Sequence, residues 1–315
     1  MQKRSLGNSG LKIAPLVFGG NVFGWTVNEG NSFALLDAFL DAGYNCIDTA
    51  DTYSKWVPGN RGGESERIIG SWMKTRGTRE QVIIATKLGG EMAPGKKGLS
   101  KKYIFQAVED SLYRLQTDYI DLYQSHYDDP ETPMEETLEA FSELIKQGKV
   151  RAIGASNFDL PRLEKSLQIS NEQHLSRYES LQPLYNLYDR SGYESTFEPL
   201  VLKNGIGVIP YFSLASGFLT GKYRNEADLS KSPRGEGNKK YLNERGFKIL
   251  AALDDVAAQY NVTPAQIALA WLIARPSITA PIASATDLNQ LNDLINAAQL
   301  TLDAQAMEKL NLASA

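Results

Sequence analysis

Short apolar runs alternate along this chain with longer amphipathic stretches. Eight runs read as strands: Leu16 to Gly20, Asn45 to Ala50, Val82 to Lys87, Tyr119 to His126, Val150 to Ser156, Tyr178 to Pro183, Gly207 to Ser213 and Ile278 to Ser284. Several are apolar at consecutive positions, the pattern of a parallel strand buried on both faces. The stretches between them have helical spacing. SFALLDAFLDAG ends on a glycine suited to a C-cap, and ESERIIGSWMKT repeats apolar residues at i, i+3 and i+4. SKKYIFQAVEDSLYRL opens on a serine cap; the helix over TPMEETLEAFSELIKQGKV opens with Thr132, has Pro133 at its first position and closes on Gly148.

Eight strand–helix alternations predict an α/β chain folded as a (β/α)8 TIM barrel, one domain over residues 1–315. The spacing agrees: Asp48, Lys87 and His126 close successive strands at intervals of 39 residues, about an eighth of the chain. No sequence repeat underlies that period. RSLG, NSG and LKIA at the start read as an N-terminal β-hairpin that plugs the barrel's other end. Lys222 to Arg245 is polar, basic and glycine-rich, a long surface loop after strand seven on the face where barrels carry their sites. The last helices, VTPAQIALAWLIARP and LDAQAMEKLNL, suit packing on the barrel or on another subunit.

Composition narrows the classes. Of 315 residues 42% are hydrophobic and 22% charged, an ordinary globular balance. Lys+Arg 33 against Asp+Glu 37 leaves a net charge of −4, which argues against a nucleic-acid or anionic-membrane partner. Cys46 is the sole cysteine, so no intrachain disulfide forms, and its place on a strand marks it as a core thiol. MQKRSLGNSG has no apolar stretch behind it, and the longest apolar run, Ile267 to Ala274, is too short to span a bilayer. The expected location is the cytoplasm.

Four polar residues fall where a barrel gathers strand ends at one mouth: Asp48, Lys87 and His126 at the ends of strands two, three and four, and Tyr53 five positions after Asp48. Taken singly, each has a plainer reading as a cap, a packing ring or a solvated end. Together they allow a carboxylate to hold an ammonium against a phenol. The ammonium is expected to lower the phenol pKa from about 10 towards the range of a general acid. His174, in a polar stretch, reads as surface.

Those residues carry a resemblance. GYNCIDTADTY, ATK, LYQSHYDDPETPMEETLEAFSELIKQGKVRAIGASNF and YFSLASGFLTGKY are similar, in order and across nearly the whole chain, to signatures of the aldo-keto reductase family. The branch is that of bacterial members related to potassium-channel β subunits. The resemblance implies NAD(P)H-dependent reduction of aldehydes or ketones by hydride transfer. Tyr53 is then the general acid, Lys87 tunes it, Asp48 holds Lys87, and His126 orients the carbonyl. That chemistry needs no metal.

The resemblance also assigns cofactor contacts. Ser156, Asn157 and Gln182 match residues that bond the nicotinamide carboxamide, and Tyr211 the ring that stacks on it. Ser213, Leu214, Gly217, Leu219 and Lys222 match the pyrophosphate loop, while Gly20 and Asn21 approach the ribose. After strand eight, NADPH-preferring members carry Lys or Arg against the 2′-phosphate. Here the sequence is IASATDLNQLND: Ser284, Thr286 and Gln290 supply neutral donors, and Asp287 repels a phosphate or accepts from a 2′-hydroxyl. NADP(H) is expected, with NAD(H) open. Trp25, Trp56 and Tyr127 lie where they can wall a pocket for a small aldehyde or ketone.

Two other functions fit parts of the pattern. One is an NADP(H)-binding regulatory or redox-sensing subunit of a membrane channel. The other is a barrel lyase that uses Lys87 as a Schiff-base amine. The oligomeric state is open.

Overall fold

A computed structural model describes residues 2–315. A two-stranded antiparallel hairpin, β1 (Arg4–Ser5) and β2 (Lys12–Ile13), precedes the barrel strands. These are β3 (Val17–Gly19), β4 (Cys46–Asp48), β5 (Ile83–Leu88), β6 (Ile120–Ser125), β7 (Val150–Ser156), β8 (Tyr178–Gln182), β9 (Gly207–Val208) and β10 (Ile282–Ala283). They form one eight-stranded parallel sheet in the order β10-β3-β4-β5-β6-β7-β8-β9. Thr279 N donates to Val208 O at 2.9 Å and Ile282 N to Pro210 O at 3.0 Å, which joins the two edges into the expected (β/α)8 barrel.

The helices alternate with these strands: α1 (Glu29–Asp41), α2 (Glu64–Arg76), α3 (Lys101–Leu115), α4 (Met134–Lys146), α5 (Leu160–Glu172), α6 (Ser191–Glu194), α7 (Glu198–Asn204), α8 (Glu244–Tyr260), α9 (Pro264–Ala274), α10 (Leu288–Ala297) and α11 (Ala304–Ser314). Local chemistry sets their starts. Asn28, Ser100, Asp159 and Asn243 each accept a backbone N–H of the first turn, and Thr263 with Gln266 closes a capping box. The start expected for α4 moves by one residue. Pro133 is its N-cap, not its first helical position, because Thr132 Oγ1 is drawn to Asp129 Oδ2 at 2.7 Å.

Two strands are much shorter than the apolar runs implied. β9 and β10 stop beside Pro210 and Pro281, which have no N–H to give the ladder, although both carbonyls still accept. The hairpin does plug the barrel. Leu6, Leu11 and Ile13 pack into one buried cluster with Val17, Cys46, Ile83, Ala85, Leu122, Ala152, Ile209, Ala280 and Ile282. Asn45 ties it down, with Nδ2 donating to Lys12 O and Oδ1 accepting from Ala14 N. Cys46 is fully buried there, and His174 is exposed, both as expected.

Residues 222–245 are not an open loop. Two 3₁₀ segments, Glu226–Lys231 and Glu236–Tyr241, fold the chain back over the barrel, and α8 already begins at Glu244. Asn225 and Asp228 close a capping box, and Arg224 forks onto Asp254 at 2.8 and 2.7 Å. The last helices pack on this chain: α9 is buried almost throughout, and Trp271 Nε1 donates to Asn311 Oδ1 at 2.9 Å. Among the described residues no helix is long and apolar enough to cross a membrane.

Candidate active site

Strand geometry explains why the polar residues share a mouth. Side chains alternate along a strand, so Cys46 and Asp48, or Ile83, Ala85 and Lys87, point to the same side. The lower members of each set lie in the apolar plug cluster, and the upper members meet one layer above it. Register places Asp48 beside Ala85 and Lys87 beside Gln124. Gly154 leaves the space that this layer needs, since a Cβ there would collide with Ser180 Oγ and press on Gln124.

Asp48 and Lys87 are buried, and Lys87 Nζ donates to Asp48 Oδ1 at 2.6 Å, to Thr49 O at 2.8 Å and to Tyr53 Oη at 2.7 Å. Three acceptors use all three ammonium N–H bonds, an arrangement unlike a free Schiff-base amine. Tyr53 Oη in turn donates to Asp48 Oδ1 at a longer 3.2 Å. Asp48 Oδ2 accepts from Gln182 Nε2 at 2.9 Å and from Gln124 Nε2 at 3.3 Å. The carboxylate is therefore held from both ends.

Burial lowers the Lys87 ammonium from its ordinary value, against the pull of Asp48, Asp51 and Glu66. The Tyr53 phenol moves opposite to the expectation from sequence. Burial, and then the Asp48 carboxylate, push its pKa well above the usual value, and Arg234 only partly opposes them. The reason is geometric. Lys87 is paired with Asp48 at 2.6 Å, so the phenol faces a neutralised pair and not a bare cation.

The His126 ring lies 6.0 Å from the Tyr53 ring and stacks on Tyr127 at 4.6 Å. Burial, with help from Lys87, lowers its pKa to about 3, so the imidazole is neutral near pH 7. Its Nδ1 is shut off from solvent without a partner. A proton there would be a buried unpaired donor, which favours the tautomer protonated on Nε2. Trp56 borders Tyr53 at 6.2 Å and Tyr127 borders His126, while Trp25 reaches this group only through Trp56, at 5.5 Å.

The residues matched to cofactor contacts gather on the same face. Asn157 adopts a left-handed φ of 54°, and its Oδ1 accepts from Tyr211 Oη at 3.0 Å. Its Nδ2 donates to His126 O at 2.9 Å and to Ser156 Oγ at 3.2 Å. Gln182 differs: its amide nitrogen is spent on Asp48 and Gln124, leaving its oxygen uncommitted. Leu214 (φ −106°, ψ 19°) followed by Ala215 (φ 47°) forms the right-then-left-handed turn that makes an anion nest. Ser213 anchors the turn, donating from Oγ to Pro210 O at 3.1 Å, and Leu219 is buried beneath it. At Gly217 (φ 95°) a Cβ would come within 3.0 Å of Lys222 Cε, so glycine keeps that lysine against the turn.

Ser284 Oγ donates to Asn21 Oδ1 at 2.7 Å beside Gly20, joining the loops of the first and last barrel strands. Beyond it the chain closes on itself. Asp287 caps α10 by accepting from Gln290 N, Gln290 Nε2 donates to Asp287 Oδ2 at 2.7 Å, and Gln290 Oε1 accepts from Thr286 N at 3.1 Å. Two residues were missed by sequence reasoning. Gln124 had a signal, a polar residue two places before His126 on an otherwise apolar strand face. Arg234 had none within its polar segment.

A model of the aldo/keto reductase family matches residues 15–314. The chain is 34% identical to "Uncharacterized oxidoreductase YrpG" of Bacillus subtilis (strain 168), covering 99% of this chain and 95% of that protein. It is 35% identical to a "Probable voltage-gated potassium channel subunit beta" of Oryza sativa subsp. japonica, covering 92% of this chain and 89% of the other. Against the "L-glyceraldehyde 3-phosphate reductase" of Escherichia coli (strain K12) identity is 32%, covering 94% and 87%. With its barrel, its continuous match and these relatives, the chain belongs to the aldo/keto reductase family of oxidoreductases.

Proposed function

We propose that this chain reduces aldehydes or ketones to alcohols with a nicotinamide cofactor, NADP(H) ahead of NAD(H), at the mouth centred on Tyr53. The observation that carries the reading is Lys87 Nζ donating to Asp48 at 2.6 Å and to Tyr53 at 2.7 Å, beside a neutral His126.

The residues present fit such a cofactor. The backbone N–H groups of Ser213 and Leu214, which no acceptor among the described residues uses, and the Lys222 ammonium would hold a pyrophosphate. Ala215 N, Gly217 N and Leu219 N already donate to Phe212 O and Leu214 O, so Gly217 and Leu219 shape the turn. Ser156, Asn157, the Gln182 oxygen and the Tyr211 ring would border the nicotinamide, and Gly20, Asn21, Ser284, Thr286 and Gln290 the ribose end. When bound, the cofactor supplies the hydride.

The chain's own groups handle the proton. A raised pKa keeps Tyr53 protonated across neutral pH, and its long bond to Asp48 is exchanged for one to the carbonyl oxygen. As the proton leaves, the phenolate stays within 2.7 Å of the Lys87 ammonium, which donates to the same oxygen. Asp48, braced by Gln182 and Gln124, fixes the ammonium. His126 donates from Nε2 to the carbonyl oxygen without carrying a charge. Trp25, Trp56 and Tyr127 keep water from the reacting carbon.

Tyr53→Phe tests this. Losing a positioned general acid lowers turnover by about 10²–10⁴-fold. Cofactor affinity is expected to stay as it was, because the ring and its packing remain. Turnover equal to wild type would reject the assignment. Similarity to a potassium channel β subunit supports a second reading, a cofactor-binding regulatory subunit. Tight NADPH binding with negligible turnover across an aldehyde panel, and co-purification with a membrane partner, would favour it.

A further inference from the structure

The Lys87 ammonium has a third partner that the mechanism above does not use, and it leads away from the reacting groups. Besides Asp48 and Tyr53, Nζ donates to Thr49 O at 2.8 Å. Thr49 is fully buried, and its N–H donates to Ala85 O at 2.7 Å, which carries the pairing of β4 with β5 one residue past Asp48. Its hydroxyl turns towards α2. Oγ1 donates to Ser65 Oγ at 2.8 Å, and Ser65 Oγ donates to Gly20 O at 2.8 Å. Gly20 begins the 3₁₀ turn Gly20–Val22 that follows β3, the first barrel strand. One chain of contacts therefore runs from that turn through Ser65 and Thr49 to Lys87 Nζ, and on to Tyr53 Oη at 2.7 Å.

Nothing local requires this chain. Ser65 is the second residue of α2 and does not cap it; Gly63 holds the N-cap position with no side-chain bond. Gly20 O already accepts from Phe23 N at 3.0 Å, so it does not need Ser65 for satisfaction. Ser65 and Thr49 are both 0% exposed, and a buried hydroxyl is costly unless its proton finds an acceptor. Here both protons do, and both point the same way, towards the turn. The approach at the turn is close: a Cβ on Gly20 would come within 3.0 Å of both Ser65 Oγ and Asp48 O, so an added methyl group would push turn and strand apart.

We propose that Ser65 is a positioning residue: with Thr49 it fixes the distance between the Gly20 turn and the Lys87–Tyr53 pair, which keeps the hydride donor and the proton donor in step. The inference rests on the reduction assigned to Tyr53 and on the Gly20 turn bordering the ribose. Hydride reaches the carbonyl carbon and the proton its oxygen, so a small error in the relative placement of the two donors slows reduction even when each is well held. Ser65 touches neither donor. It acts only through Gly20 and Thr49.

Ser65→Ala, Thr49→Val and the double variant test the proposal, with benzaldehyde and NADPH as substrates. Each single change is expected to lower kcat about 10-fold. KM for benzaldehyde, and NADPH affinity read by protein fluorescence, should stay near wild type. The primary isotope effect with NADPH deuterated at the transferred position should rise. The double variant should fall no further than the worse single one, because both changes cut the same chain. Thr49→Ser, which keeps the hydroxyl, should recover most of what Thr49→Val loses. Ser65→Ala strands the Thr49 proton, whereas Thr49→Val leaves Ser65 its bond to Gly20, so a fold lost in the first leaves the second to decide.

A second readout needs neither cofactor nor turnover. In proton–nitrogen correlation spectra of the lysine ammonium groups, the Lys87 signal is the one missing from Lys87→Met. Its protons should exchange with water about 10-fold faster in Ser65→Ala and in Thr49→Val, the equivalent of one hydrogen bond, although Ser65 does not touch Lys87. Unchanged kcat in both single variants, losses that add, or a loss confined to NADPH affinity would each overturn the proposal. So would a Lys87 exchange rate that neither variant moves. Should wild type reduce no aldehyde, the Tyr53 reading fails by itself, and the Lys87 exchange rates alone then decide whether Ser65 holds the lysine.

Discussion

Replacing Lys87 by methionine isolates what the buried ion pair does. The two side chains are 0% and 2% exposed, with Nζ and Oδ1 2.6 Å apart. Methionine fills most of the volume, so the loss is chiefly electrostatic. Asp48 keeps its donors from Gln182, Gln124 and Tyr53 but loses its only cationic partner. Leaving one member of such a pair uncompensated costs about 3–5 kcal/mol. A chain of 315 residues has an unfolding entropy of roughly 0.66 kcal/mol/K, from about 2.1 cal/mol/K per residue. The expected fall in Tm is then about 5–8 °C. Thermal unfolding followed by circular dichroism measures it, with Asp48→Asn and the double variant completing a cycle. Because the double variant buries no charge, it should melt above Lys87→Met, with a coupling energy of about 1–3 kcal/mol. Losses that simply add would refute the reasoning, since Asp48 would then not depend on Lys87.

Two further outcomes follow from the same geometry. The folded His126 ring titrates at about 3, below its ordinary 6.5, so acid favours the unfolded chain, which takes up a proton that the folded chain refuses. Stability from this ring declines as pH falls through about 6.5, with a loss at pH 4.5 of about 2 kcal/mol after allowance for partial exposure. Urea unfolding of wild type and His126→Gln at pH 7 and 4.5 reads this, and equal losses would mean the ring titrates normally. At the ribose end, the closed Asp287–Gln290 cap and the lack of a nearby Lys or Arg in the sequence 284–290 predict only a modest preference for NADPH. The ratio of kcat/KM for NADPH and NADH measures it, and a preference of about a thousandfold would contradict the reading.

Much of this protein was legible in the sequence because the information is local. A parallel strand buried on both faces must be apolar throughout, and a helix must show its period and caps, so the barrel could be read residue by residue. The placement of Asp48, Lys87 and His126 at strand ends followed, since a closed sheet brings those ends to one mouth whatever their separation along the chain. Strand length was less legible, because Pro210 and Pro281 withdraw donors from a ladder whose partners lie elsewhere in the sequence.

Long-range contact decided the rest. Gln182 and Asp48 are 134 positions apart, and nothing near either residue indicates that the amide would brace the carboxylate. The direction of the Tyr53 shift depends on how completely folding buries the ring and on the Asp48 carboxylate meeting it there, neither of which residue types encode. Arg234 looked like one more cation in a solvated segment until the 3₁₀ turns laid it over Trp25. Sequence determined which groups were available and the layer each would occupy. Tertiary structure decided their pairing and desolvation, because both depend on every neighbour that folding brings together.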